Sequence, residues 1–166
     1  MKNLFILSIL CFGAVSAKAQ IPQPDPDTTA KHFLIVASIK NLQEISAGEL
    51  ALKMAKRPEV KTFGQMMVTD HQAAEQLLLQ TAKESGISLL PAATGGIQPD
   101  LMLKNAGAAF DKMYVHAMVS GHRNTVEVFQ NYATTGKNAA VRDLARQLLP
   151  KLKHHLEEIE QIEQKL

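Results

Sequence analysis

Four long stretches of this chain carry apolar residues at steps of three and four, and no stretch alternates at a step of two. Helices packed side by side are therefore the architecture it can build. From Ala30 to Ala55 the stripe runs Phe33, Ala37, Lys40, Glu44, Ala47, Ala51 and Met54, with Asp27 or Thr28 as candidate N-cap. Arg57-Pro58 breaks it. Proline is pre-set for a first helical turn, and Val60, Phe63, Met67, His71, Ala74 and Leu78 carry a second helix to about Ser85, closed by Gly86. A third helix, from about Gly107 to Ala133, holds Asp111, Val115, Met118, His122, Thr125 and Phe129. After a hinge at 134–138, a fourth takes Val141, Ala145, Leu148, Leu152, His155, Ile159 and Ile162 to the C-terminus. Pro150 lies inside it, lacks an N–H and crowds the preceding turn, so a kink is expected there.

Two of the breaks are tight. The third, 86–99, holds two prolines and Gly95-Gly96 beside Ile87, Leu89 and Leu90, and is expected to fold over one end of the helices. Pro99 and Asp100 start a short helical turn ahead of Gly107. The pattern predicts an all-α, up-down-up-down four-helix bundle over residues 30–166. The two hairpins are faintly alike: Val60-Lys61, Phe63 and Met66-Met67 parallel Val141-Arg142, Leu144 and Leu148-Leu149.

The first residues read differently. Lys2, an apolar run from Leu4 to Val15 and Ala17-Lys18-Ala19 have the form of a secretory signal, which predicts cleavage before Gln20. The run is shorter than the ~20 apolar residues a membrane span needs, so no transmembrane segment is expected after signal removal. Cys11 lies within the run behind Leu10, a poor context for lipidation, and the mature chain then has no cysteine. Residues 20–29, with Pro22, Pro24 and Pro26, suit an extended leader. Periplasmic or other cell-envelope export follows. Removing Lys2 and Lys18 from 18 basic residues leaves 16 against 16 acidic ones, and such a balance argues against nucleic acid as a partner. Without disulfides, stability rests on one hydrophobic core.

Each apolar stripe is interrupted by a group that can hold a metal or a proton: Glu44, His71, His122 and His155. Counted from the hinges, Glu44, His71 and His122 are nearly level, while His155 stands about one turn, ~5–8 Å, higher. Glu75, one turn after His71, is expected near the height of His155. A carboxylate and three imidazoles lose hydration on burial, and a cation offsets that cost. One ligand from each helix is how bundles build metal sites, and these ligand types suit zinc, iron, manganese or copper. The competing reading is a metal-free buried Glu–His network that fixes helix register within a structural or interaction module of the envelope, with an envelope protein as partner.

His154 is expected to face solvent, His116 and His32 to be exposed or satisfied, and Asp70 to support His71 or a surface contact. Met54, Met66, Met67, Met113 and Met118 at helical spacing read as core fillers. No phosphate-cradling glycine loop, nucleophile elbow or mature cysteine nucleophile is present.

At Asn41-Leu42-Gln43-Glu44, Thr69-Asp70-His71, Phe110-Asp111-Lys112-Met113-Tyr114, Gly121-His122 and Leu149-Pro150-Lys151-Leu152-Lys153-His154-His155-Leu156, the chain resembles a bacterial family of exported proteins of unknown function. Its members are assigned to the ferritin-like four-helix bundles and often labelled outer-membrane proteins. The resemblance spans about Ala30 to Ile162. It implies a ferritin-like bundle in the envelope, with Glu44, His71, Asp111, His122 and His155 at the matching positions, and it supplies no activity. Di-iron carboxylate enzymes place Glu-x-x-His on two helices. Here Val68 precedes His71 by three and Leu152 precedes His155 by three, so that chemistry is not expected.

Overall fold

A computed structural model describes residues 26–89 and 100–166. The expected signal segment 1–19 with Cys11, the first part of the leader, and Leu90 with Gly95-Gly96 in the connection lie outside these residues. All described elements are helical: α1 (Pro26–Met54), α2 (Pro58–Glu84), α3 (Leu101–Lys104), a 3-10 turn (Gly107–Ala109), α4 (Phe110–Thr135) and α5 (Ala139–Glu163). The helix α1 starts at Pro26, so the last residues of the expected leader are helical and Asp27 and Thr28 lie inside the helix. Local chemistry accounts for the other ends. Pro58 opens α2, and Gly86 closes it with φ +69°, a left-handed conformation that suits glycine. The Asp100 side chain accepts from the backbone N–H of Met102 and Leu103, and Asn138 accepts from Val141. The helix α5 continues through Pro150.

The up-down-up-down expectation needs correction. Backbone N–H groups of Lys56 and Arg57, in the α1–α2 hinge, donate to the Asp111 carboxylate at 2.9–3.2 Å, so α4 begins beside that hinge. Phe33, early in α1, stacks on Tyr132, late in α4, with ring centroids 4.0 Å apart. Asp70 of α2 meets Lys151 and His155 of α5. Taking α1 as down, α2 and α4 both run up and α5 runs down. The end of α2 and the start of α4 therefore lie at opposite ends of the bundle, so the connection joins two ends and not one. The described residues on either side agree, because Ile87 and Leu89 join one apolar cluster and Leu103 the other. Counting hinges by length gives loop size and leaves direction open, which is why the sequence misled here.

The two clusters stack end to end with a polar layer between them. One gathers Phe33, Leu34, Leu78, Phe129, Val141 and Leu144, and the other Val60, Phe63, Met67, Phe110, Tyr114 and Ile159. On every long helix the buried polar residues fall between the two: Ser38, Asn41 and Glu44 on α1, His71 and Glu75 on α2, His122 on α4, His155 on α5.

Gly48 and Gly64 let α1 and α2 meet backbone to backbone. A Cβ at Gly64 would lie 2.7 Å from the Ala51 Cβ, and one at Gly48 would lie 2.8 Å from the Gly64 carbonyl oxygen. Helix propensity favours alanine by about 1 kcal/mol, but separating two packed helices typically costs about 1–3 kcal/mol. Gly64→Ala is therefore expected to lower the urea midpoint, whereas an unhindered helical glycine changed to alanine raises it.

Candidate metal centre

Four side chains from the four long helices converge in the polar layer. Glu44 Oε2 lies 3.3 Å from His71 Nε2 and 3.2 Å from His122 Nε2. The rings of His71, His122 and His155 pair with centroids 5.3–5.9 Å apart. One ring nitrogen of each lies within 4.8 Å of the others, and all three residues are buried. Three atoms so spaced share a point within about 2.8 Å of each, against metal–nitrogen bonds of ~2.0–2.1 Å, so small ring rotations separate this arrangement from a closed shell.

The surroundings fix which nitrogen of each ring bears the hydrogen. The Asn41 amide N–H group donates to the His71 carbonyl at 2.7 Å and to Glu75 Oε2 at 2.8 Å, which leaves its oxygen toward His71 Nδ1, 2.7 Å away. That oxygen can only accept, so His71 Nδ1 donates and Nε2 carries a lone pair. His122 Nδ1 is 3.0 Å from the Met118 carbonyl and donates to it, leaving Nε2 bare. His155 Nε2 lies 2.8 Å from Asp70 Oδ2, and Lys151 holds the other Asp70 oxygen at 2.9 Å, so in the neutral ring Nδ1 is bare. The atoms left without a hydrogen-bond partner include Glu44 Oε2, His71 Nε2, His122 Nε2 and His155 Nδ1. Each is desolvated, and Glu44 Oε2 lies between the Nε2 atoms of His71 and His122, which in the neutral rings are acceptors. An imidazole that gives its far N–H to a carboxylate or carbonyl is the usual support of a metal-binding histidine.

Electrostatics point the same way. Burial drives the His71 imidazolium pKa down to about 4 although Glu44 opposes this, and burial likewise takes His155 to about 4 against its hydrogen bond with Asp70. Both rings are neutral at pH 7. Burial tends to raise the Asp70 pKa, but hydrogen bonds from His155 and Lys151 hold it below the ordinary carboxylate value. Tyr114, whose hydroxyl is also buried without a partner, is pushed up by burial and by Glu44.

The sequence expectations fare unevenly. Glu44, His71, Glu75, His122 and His155 are all buried. His155 stands no farther from His71 or His122 than they stand from each other, so the expected offset does not keep it out of the cluster. Glu75 faces elsewhere, accepting from Ser38 Oγ at 2.6 Å and from Asn41, and so holds the residue that holds His71. Asp111 ties α4 to the α1–α2 hinge. His32, His116 and His154 are exposed, as is Lys40 of the α1 stripe. Asn41 and Ser38 were not singled out as buried polar groups. Asn41 lies one turn before Glu44, at i−3, which was the available signal.

A cavity of about 30 Å³, the space of one water, adjoins the cluster between Asn41, Glu44, His71, Thr125, Phe129 and His155.

Residues 15–162 match the family described as Domain of unknown function (DUF4142), and the chain belongs to it. No curated protein matches. Among solved structures the fold is similar to "CopM in the Cu(II)-bound form", at TM-score 0.69 and 18% identity over 82% of this chain and 96% of that one. It is equally similar to "CopM in the Cu(I)-bound form", at TM-score 0.67 and 17% identity over the same shares. At such identity the likeness speaks for the fold.

Proposed function

We propose that this chain, from a family with no assigned activity, binds one transition-metal ion at His71 Nε2, His122 Nε2 and His155 Nδ1, with Glu44 Oε2 as the fourth ligand. The observation that carries the reading is a cluster of three buried imidazoles with ring nitrogens within 4.8 Å of one another, two of them beside Glu44 Oε2, whose facing atoms find no hydrogen-bond partner. A cation satisfies all four at once. Three imidazoles and a carboxylate suit zinc or copper ahead of manganese, with iron also within reach of such ligands. The copper-bound forms of CopM, a protein of similar fold, lend weight to copper. Asn41, the Met118 carbonyl and Asp70 orient the three rings, and Glu75 with Ser38 orients Asn41. Storage, sensing or protection from metal stress fits such a site, and no substrate step is needed.

The single long crossover, with α2 and α4 parallel, is the connectivity of ferritin-like bundles, so we assign the chain to that topology. The absent Glu-x-x-His pairs separate it from the di-iron members. Export to the periplasm or envelope rests on the N-terminal sequence. Among the described residues, no helix is long and apolar enough to cross a membrane.

Elemental analysis of untagged protein tests the site. Near-stoichiometric metal in the wild type and its loss in His71→Ala/His122→Ala is the expected outcome. Equal metal in both proteins sinks the assignment. The metal-free network is the second reading, favoured by the 3.2–3.3 Å spacing, an ion-pair distance once either ring takes up a second proton. It predicts no rise in melting temperature when metal is added.

A further inference from the structure

Glu44 has two different sides. Its Oε2 is fully buried against His71 and His122, while Oε1 points the other way, 3.7 Å from where a Cβ on Gly121 would stand. On that side a groove of about 310 Å³ runs between α1 and α4, lined by Lys40, Gln43, Glu44, Asp100, Met118 and Gly121. The two hairpins are each tightly packed, whereas α1 and α4 touch sparsely. Gly121 is the position where α4 presents no side chain to Glu44, and no backbone turn demands a glycine there.

We propose that this groove is the path by which a cation reaches the histidine cluster, with Gly121 keeping it open and Glu44 passing the ion from Oε1 to Oε2. The inference rests on the metal-site reading above. The exposed mouth carries Lys40 and Asp100, whose opposite charges leave it without a strong barrier to a small cation. Inside, the first ligand met is a carboxylate oxygen, which binds a hydrated ion without displacing its full shell, and the imidazoles lie beyond it. The cavity that adjoins His71 and His155 directly has room for only one water, about 30 Å³, between Leu78, Phe129, Leu152 and the Asp70–Lys151 pair, and is the narrower route.

A plug in a path differs from damage to a site, because raising a barrier slows loading and release by the same factor and leaves affinity unchanged. The test uses apo protein and cobalt(II), followed by its visible absorbance, with release driven by excess chelator. Gly121→Leu is expected to slow both directions at least about tenfold while the bound cobalt at equilibrium stays at the wild-type level. Thr125→Leu, which fills the other cavity, is expected to load at the wild-type rate. Gly121→Ala adds a methyl with only ordinary contacts, so it folds at least as well as the wild type and shows a smaller slowing in the same direction. Wild-type rates in both Gly121 variants, or slowing only in Thr125→Leu, overturn the path. Weaker equilibrium binding in Gly121→Ala without slowing assigns Gly121 to the site and also overturns it. No cobalt uptake by the wild type overturns the metal site itself, a result distinct from all of these.

Discussion

Glu44→Gln is expected to make the metal-free protein more stable and to remove its metal. In the wild type, Glu44 Oε2 faces the bare Nε2 atoms of His71 and His122 at 3.3 and 3.2 Å, and none of the three has a hydrogen-bond partner. A buried acceptor left unsatisfied costs about 1–3 kcal/mol. A glutamine amide has nearly the same shape, and its NH₂ can donate to both rings. Satisfying two or three acceptors therefore contributes about 2–4 kcal/mol, and in a domain of this size that corresponds to ~5–15 °C in melting temperature. The same change withdraws the anionic ligand and puts N–H groups where the ion would sit. Melting curves of chelator-treated protein, with and without added zinc or copper, read both effects. In a metal-free register network Glu44 would accept a proton-bearing ring, and glutamine would weaken that contact. A lower apo melting temperature in Glu44→Gln is thus the outcome that decides for the network.

Acid is expected to unfold the apo protein in a defined window. His71 and His155 have folded pKa values of about 4, set first by burial, against an ordinary value of 6.5. In the unfolded chain both rings take up protons as pH falls below about 6.5, while in the folded chain they resist until about pH 4. The unfolded state therefore binds more protons across that interval, and stability rises with pH through it. Their contribution is fully present above about pH 6.5, declines as pH falls, and is spent below about pH 4. Each ring accounts for about 3 kcal/mol as an upper figure, the opposing pull of Glu44 on one and Asp70 on the other already included. Against a total stability of about 5–15 kcal/mol, a loss of several kcal/mol brings the unfolding midpoint near pH 4–5. Urea titrations at half-unit steps from pH 4 to 8 measure the slope. Metal adds a second dependence of the same sign, since protons compete for the same nitrogens. A stability flat from pH 7 to 4.5 would contradict the neutral, buried state of these rings. His71→Gln should remove about half of the slope, whereas His116→Gln, at an exposed ring, should leave it alone.

Legibility in the sequence followed the range of the interaction concerned. Helix boundaries came within a few residues, because proline, glycine and capping side chains act on their own backbone: Pro58, Gly86, Asp100 and Asn138 all stand where local chemistry puts them. The inward direction of Glu44, His71, His122 and His155 also followed from their phase with the apolar stripes, whereas Lys40 on the same α1 stripe turns out to solvent. Glu75 was legible as buried but not in its task, which depends on Ser38 and Asn41 across the helix pair.

By itself the sequence determined four long helices with at least one polar group on the inner face of each. Only the tertiary structure decided that α2 and α4 run parallel, that the rings of His71, His122 and His155 meet 5.3–5.9 Å apart, and that Asn41 and the Met118 carbonyl leave the Nε2 atoms of His71 and His122 turned to Glu44. The reason is geometrical. A stripe of period 3.6 fixes how a helix is rotated about its axis but is unchanged when the helix slides along it or reverses, so depth and direction are set by contacts between residues far apart in the chain.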